Sequence, residues 1–171
     1  LGYRPPPKQT VIPPGVAFLM TRMMERVIRV GTGVAAQILH RHDLAGKTGT
    51  TNHEDNAWFN GFNPDITTSV WVGYDNNQSM GTWAAGAREA LPIWIRYMHT
   101  ALAQYPDVGF FQPPDVVTAR YNPKTGDLAP QGDPGHQYPM GYFLSGYLPP
   151  KPKPKISAET QSFIHALMHI F

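Results

Sequence analysis

The chain has 171 residues, a length that suits one domain with its own core, or one domain and a tail. A formal net charge of +2, with 15% charged residues, is too weak and too scattered for a nucleic-acid-binding footprint. No cysteine is present, which excludes disulfides, thiolate nucleophiles and cysteine-ligated metals, and no apolar run reaches membrane-spanning length.

Eighteen prolines and 16 glycines gather at residues 1–15 and 106–155, so the middle of the chain is the compact part. Residues 1–13 are extended. A helix is predicted from Pro14 to Val30, because proline suits a first helical position and Val16, Leu19, Met20, Met23, Val27 and Val30 recur at helical spacing. That stripe is expected to pack into the core. Gly31-Thr32-Gly33 stops the helix, and a second short one follows through Leu39.

Three strand patterns come next, at Leu44 to Thr51, Ala57 to Asn63 and Ile66 to Tyr74. The gap after Asn52 and the turn chemistry of Asn63-Pro64-Asp65 are short enough for hairpins, which gives three consecutive antiparallel strands. A helix is predicted from Trp83 to Gln104, with Ala87, Leu91, Trp94, Met98 and Leu102 on one face. Pro92 should kink it or mark a restarted first turn. Further on, residues 116–129 read as a hairpin turning at Asn122 to Asp127. The stretch 149–155 is a stiff proline-rich linker, and Ser157 caps a last helix.

The chemistry is concentrated in Ala45-Gly46-Lys47-Thr48-Gly49-Thr50-Thr51-Asn52. A phosphate-binding P-loop would need a first glycine at position 41, which is Arg41, and a helix after the lysine. Strand patterns follow instead. Along a strand Thr48 and Thr50 point to the same side, and Gly49 between them lets a ligand approach the backbone. The same tripeptide at Lys124-Thr125-Gly126 is flanked by Asn-Pro and Asp and reads as a plain turn. His165 and His169 are four apart, but no glutamate follows the first, so a zinc helix is not indicated. No metal and no cofactor is expected.

Lys47-Thr48-Gly49-Thr50-Thr51-Asn52 resembles the third signature of the penicillin-binding proteins and serine β-lactamases. Together, "AGKTGTTN", "AWFNGFNP", "VWVGYDN" and "ALPIW", in that order, resemble the transpeptidase domain of the class A, bifunctional penicillin-binding proteins over about residues 10–150. One departure is Asn56, where the family usually carries aspartate. The resemblance implies an α+β fold, an antiparallel sheet flanked by helices. It also implies a serine nucleophile in S-x-x-K and a second signature S-x-N, both N-terminal to the Lys-Thr-Gly element. The five serines here, Ser69, Ser79, Ser145, Ser157 and Ser162, have no lysine three residues on. Tyr74-Asp75-Asn76 falls on the wrong side of the Lys-Thr-Gly element and reads as a strand end turning outward. The chain is therefore expected to be the C-terminal part of a transpeptidase domain over 1–108, with a loop-rich extension over 109–150 and a linker and helix over 151–171. Its start without methionine agrees with this expectation.

By the same resemblance, the Thr50 N–H is one of two oxyanion donors, and Lys47 supplies positive charge. The Thr48 and Thr50 hydroxyls bind a substrate or β-lactam carboxylate, with Gly49 and Thr51 completing that binding stretch. The implied partners are peptidoglycan stem peptides, β-lactams and the N-terminal remainder of the same protein. The implied place is the periplasmic side of the bacterial inner membrane, with the anchor outside this chain. The rival readings are a serine β-lactamase or DD-carboxypeptidase, and a non-catalytic binding module that kept only the hairpin.

Overall fold

A computed structural model describes residues 9–132, 135 and 137–152. Most of the linker, the helix expected from Ser157, and His165 and His169 lie outside the described residues. Two compact units divide at Asp115–Val116.

The first unit begins with helix α1, Pro14–Val30, the span that the sequence predicts. Proline at its first position lacks an N–H that would have no intrahelical partner there anyway. The helix stops where the Gly31 N–H closes on the Val27 carbonyl at 3.1 Å. A 3-10 segment, Val34–Leu39, follows and ends at His40, whose φ is +51°. The buried face of α1 is Gly15, Phe18, Glu25 and Ile28, not the expected stripe. Val16, Met20, Met23 and Val30 of that stripe are exposed, Met23 by 61% and Val30 by 67%. Periodicity identifies an apolar face but not the partner that covers it, and within this unit the core takes the side that carries Ile28. Burial pushes the Glu25 carboxyl above its ordinary range, against the pull of the Arg22 and Arg29 guanidinium groups.

Strands β1 (Ala45–Thr50), β2 (Asn56–Phe62) and β3 (Thr67–Gly73) form an antiparallel sheet in the order β1-β2-β3. Asn63 makes the second turn, its side-chain oxygen accepting the N–H groups of Asp65 at 3.1 Å and Ile66 at 2.7 Å. The register puts Gly46, Thr48 and Thr50 opposite Gly61, Phe59 and Ala57 on one face, and Lys47 and Gly49 opposite Asn60 and Trp58 on the other.

Helix α2 runs Ala90–Ala101, shorter than predicted. Trp83 is 75% exposed and precedes the helix in a run of turns. Pro92 falls in the first turn, where it breaks no hydrogen bond. Leu91, Trp94, Met98 and Leu102 are buried as one stripe, and Trp94 meets Phe59 edge-on at 5.0 Å. Ile28, Ala36 and Leu44 complete this core.

A charged clamp ties the ends of these elements together. Asp43, fully buried just before β1, accepts from Arg41 Nε at 2.9 Å and Nη2 at 2.6 Å, and from Asn63 Nδ2 at 3.2 Å. Arg41 also donates to the carbonyls of Tyr105 and Pro106, at 3.0 and 2.8 Å, beyond the end of α2. The entry of β1, the exit of β2 and the chain leaving α2 thus share one carboxylate–guanidinium pair.

In the second unit β4 (Val116–Arg120) pairs antiparallel with β5 (Met140–Leu144). The expected turn does form, with Asn122 N–H bonded to Asp127 O at 2.8 Å and a single bridge from Tyr121 to Leu128. The Ala129 N–H also bonds to the Arg120 carbonyl at 2.9 Å, so the expected hairpin closes next to its turn, but the extended ladder of β4 is made with β5, because turn residues fix only the local reversal and the ladder is chosen by packing further along the chain. Lys124-Thr125-Gly126 is the plain turn the sequence indicates, with Gly126 at φ +79°. Among the described residues no helix is long and apolar enough to cross a membrane.

Replacing Asp43 by alanine would leave the Arg41 guanidinium without its buried carboxylate partner. An expected loss of about 3–5 kcal/mol follows, read as a lowered urea midpoint; an unchanged midpoint would show that the clamp is dispensable.

Candidate active site at a free strand edge

Among the described residues β1 has a strand neighbour on one side only. Thr51 N–H donates to Asn56 O of the facing segment at 3.1 Å. Backbone groups alternate along a strand, so the N–H groups of Lys47, Gly49 and Thr51 turn toward β2, and those of Thr48 and Thr50 turn toward the unpaired edge. The Thr48 carbonyl confirms the direction, since it accepts from the Lys47 ammonium at 2.9 Å. Lys47 starts on the sheet's outer face, and its long stem carries the charge round to the edge.

The same ammonium lies 3.2 Å from the Thr48 hydroxyl, and the Thr48 hydroxyl lies 2.7 Å from that of Thr32, at the end of α1. Lys47 and Thr48 are thus brought together with a residue that the sequence marked only as part of a helix stop. Thr50 is exposed, and its hydroxyl accepts the Gly86 N–H at 3.0 Å, leaving its own proton free. Thr48 and Thr50 lie on one side of the strand, about 6–7 Å apart along it. Thr51 serves the turn behind them: its hydroxyl accepts the N–H groups of Asp55 and Asn56, both at 3.0 Å. Asn56 in turn accepts from Trp71 Nε1 at 2.7 Å, so the atypical residue makes a contact between neighbouring strands.

Two glycines allow this arrangement. A Cβ on Gly49 would press on the Trp58 Cβ at 3.2 Å. One on Gly86 would strike the backbone carbonyls of Trp58 and Gly49, the latter at 2.6 Å, so only glycine lets this segment lie against β1 and donate to Thr50. Two clefts of about 470 and 420 Å³, one lined by Ile38, Leu39, Ile95, Arg96, His99 and Thr100 and the other around Gln37, Arg41 and His42, include none of the Lys47–Thr51 residues. His40 borders the second cleft, and His42 pairs with Asp107 at 2.9 Å. Hydrogen bonds from the His42 ring and backbone hold the Asp107 carboxyl below its ordinary range although burial opposes them.

An open strand edge with outward N–H groups, two hydroxyls and one ammonium has the donors needed to hold an anion, which is also the kind of chemistry that acyl transfer requires. The profile of the penicillin binding protein transpeptidase domain matches residues 3–95, and the chain belongs to that family. It is 46% identical over 138 residues to penicillin-binding protein 1A of Pseudomonas aeruginosa, covering 81% of this chain and 17% of that protein. Against penicillin-binding protein 1A of Neisseria gonorrhoeae it is 45% identical over 108 residues, 63% of this chain and 14% of the relative. Its fold matches the crystal structure of penicillin-binding protein 1A from Haemophilus influenzae with a TM-score of 0.76 at 34% identity, covering 84% of this chain and 22% of that one. The chain thus spans about one sixth of the length of the first of these relatives.

Gly86→Ala should push the 84–88 segment off β1 and free the Thr50 hydroxyl. Amide exchange at residue 86, which donates to Thr50, and at Thr51, which donates to Asn56, is expected to quicken markedly, and unchanged protection would show that the segment does not brace the strand.

Proposed function

We propose that this chain is the C-terminal part of a serine-type peptidoglycan DD-transpeptidase that belongs to a bifunctional glycosyltransferase–transpeptidase. The observation that carries the reading is the outward Thr50 N–H beside the Lys47–Thr48 pair on an unpaired strand, within a member of the transpeptidase family. A serine from the N-terminal remainder attacks the carbonyl of a D-alanyl-D-alanine stem peptide. The tetrahedral oxyanion takes a hydrogen bond from Thr50 N–H, the terminal D-alanine leaves, and an amine of a neighbouring strand resolves the ester into a cross-link. Loss of one oxyanion donor typically costs roughly 10²–10³ in rate, or about 3–4 kcal/mol.

The carboxylate of the stem peptide, or of a β-lactam, is received by the hydroxyls of Thr48 and Thr50. Gly49 keeps the strand open, and Thr51 closes the turn that positions both threonines. Lys47, a compact ammonium with three donors, can serve the carboxylate, Thr48 and the second-signature serine together. The N-terminal remainder also accounts for surfaces left bare here: the outward stripe of α1, and Trp58 and Trp71, each 41% exposed on the sheet's outer face. The reaction belongs on the periplasmic side of the inner membrane, with the anchor in that remainder.

Fluorescent penicillin tests this reading directly. The full-length protein should be labelled, Lys47→Ala should reduce the label by at least about tenfold, and the 171-residue chain alone should take none. Normal labelling of the lysine variant would remove the role given to Lys47. A label on the isolated chain would place a nucleophile among its own residues.

A further inference from the structure

The Thr32 hydroxyl sits 2.7 Å from that of Thr48, on a different element and 16 residues away in sequence. A hydroxyl has one proton and two lone pairs. Lys47, a pure donor, occupies one lone pair of Thr48 at 3.2 Å. If Thr32 donates into the other, both acceptor sites of Thr48 are filled, and the only remaining valence of that oxygen is its own proton. That proton then has no use except toward an acceptor arriving at the open edge.

We infer that Thr32 is a positioning residue: it fills the second lone pair of Thr48 and so directs the Thr48 proton at an incoming carboxylate. The turn after α1 supports the role. Gly31 and Gly33 N–H groups both close on the Val27 carbonyl at 3.1 Å, and Val34 N–H closes on Gly31 O at 3.2 Å, which fixes the backbone on either side of Thr32. Its side chain touches β1 while the residue itself remains exposed, so a substitution there removes a hydrogen bond and opens no hole in the core. The device discriminates ligands by charge. An anionic carboxylate accepts from the oriented proton and from Lys47, whereas a neutral ester gains much less from either.

The inference rests on the transpeptidase reading and deepens it. The test uses the full-length protein and two probes, fluorescent penicillin with its free carboxylate and the methyl ester of the same compound. Thr32→Val should slow acylation by the free acid about tenfold, the scale of a charged-ligand hydrogen bond from Thr48 that is no longer directed, and leave the ester rate unchanged. Thr32→Ser, which keeps the hydroxyl, should restore the free-acid rate. In a Thr48→Val background, Thr32→Val should add nothing. Equal slowing of acid and ester, no slowing of either, or failure of serine to rescue would overturn the role of Thr32 while leaving the transpeptidase reading intact. A wild-type protein that takes no label from the free acid would overturn the reading itself, and this inference with it.

Discussion

Everything at the candidate site depends on β1 having a partner on one side only. An unpaired strand edge is ordinarily a hazard, a row of bare N–H and C=O groups that invites another strand. Here the antiparallel ladder uses the inward groups of Lys47, Gly49 and Thr51 and leaves those of Thr48 and Thr50 facing out. The Lys47 ammonium wraps that edge and the Thr48 hydroxyl stands beside it, so the bare backbone carries positive charge and hydroxyl donors rather than a flat apolar surface. A strand so decorated is poorly suited to sheet extension and has the charge to hold an anion.

An edge that stabilises charge must be held still, because donors that first have to reorganise lose most of their value. The core does this from beneath. Phe59, facing Thr48 across the ladder, is locked by Trp94, and Trp94 sits on the α2 stripe with Leu91 and Met98. At the strand's entry the buried Asp43 binds Arg41 and Asn63 together, and at its far end the Thr51 hydroxyl and Gly86 N–H brace the turn and Thr50. Strand β2, helix α2, the Asp43 clamp and the Gly86 segment thus converge on one short strand. Val16, Met20, Met23 and Val30 of α1 stay exposed among the described residues, as do Trp58 and Trp71 in part, in a chain that spans only a small part of its relatives.

The particular residues show where sequence reasoning reaches. α1 was legible to its ends because proline and the Gly-Thr-Gly stop act through backbone chemistry within one turn. The three strands were legible within a residue or two, since β-branched and aromatic alternation and the Asn63 turn are local. The outward face of α1, the late start of α2 and the pairing of β4 with β5 were not, because each turns on what packs against what. The predicted helix began at Trp83, yet the close approach of Gly86 to β1 keeps that segment in turns.

By itself the sequence determined the chemistry on offer: a lysine, two threonines and a glycine on an extended segment, no cysteine, and no lysine three residues after any serine. It also determined the alternation that places Thr48 and Thr50 on one side. Only the tertiary structure decided which edge of that strand is bare, that Thr32 meets Thr48, and that Gly86 holds Thr50. The physical reason is range. Strand propensity and turn preference arise from contacts within a few residues, whereas a hydrogen bond between residues 16 or 36 positions apart exists only after helix and sheet have closed on a common core.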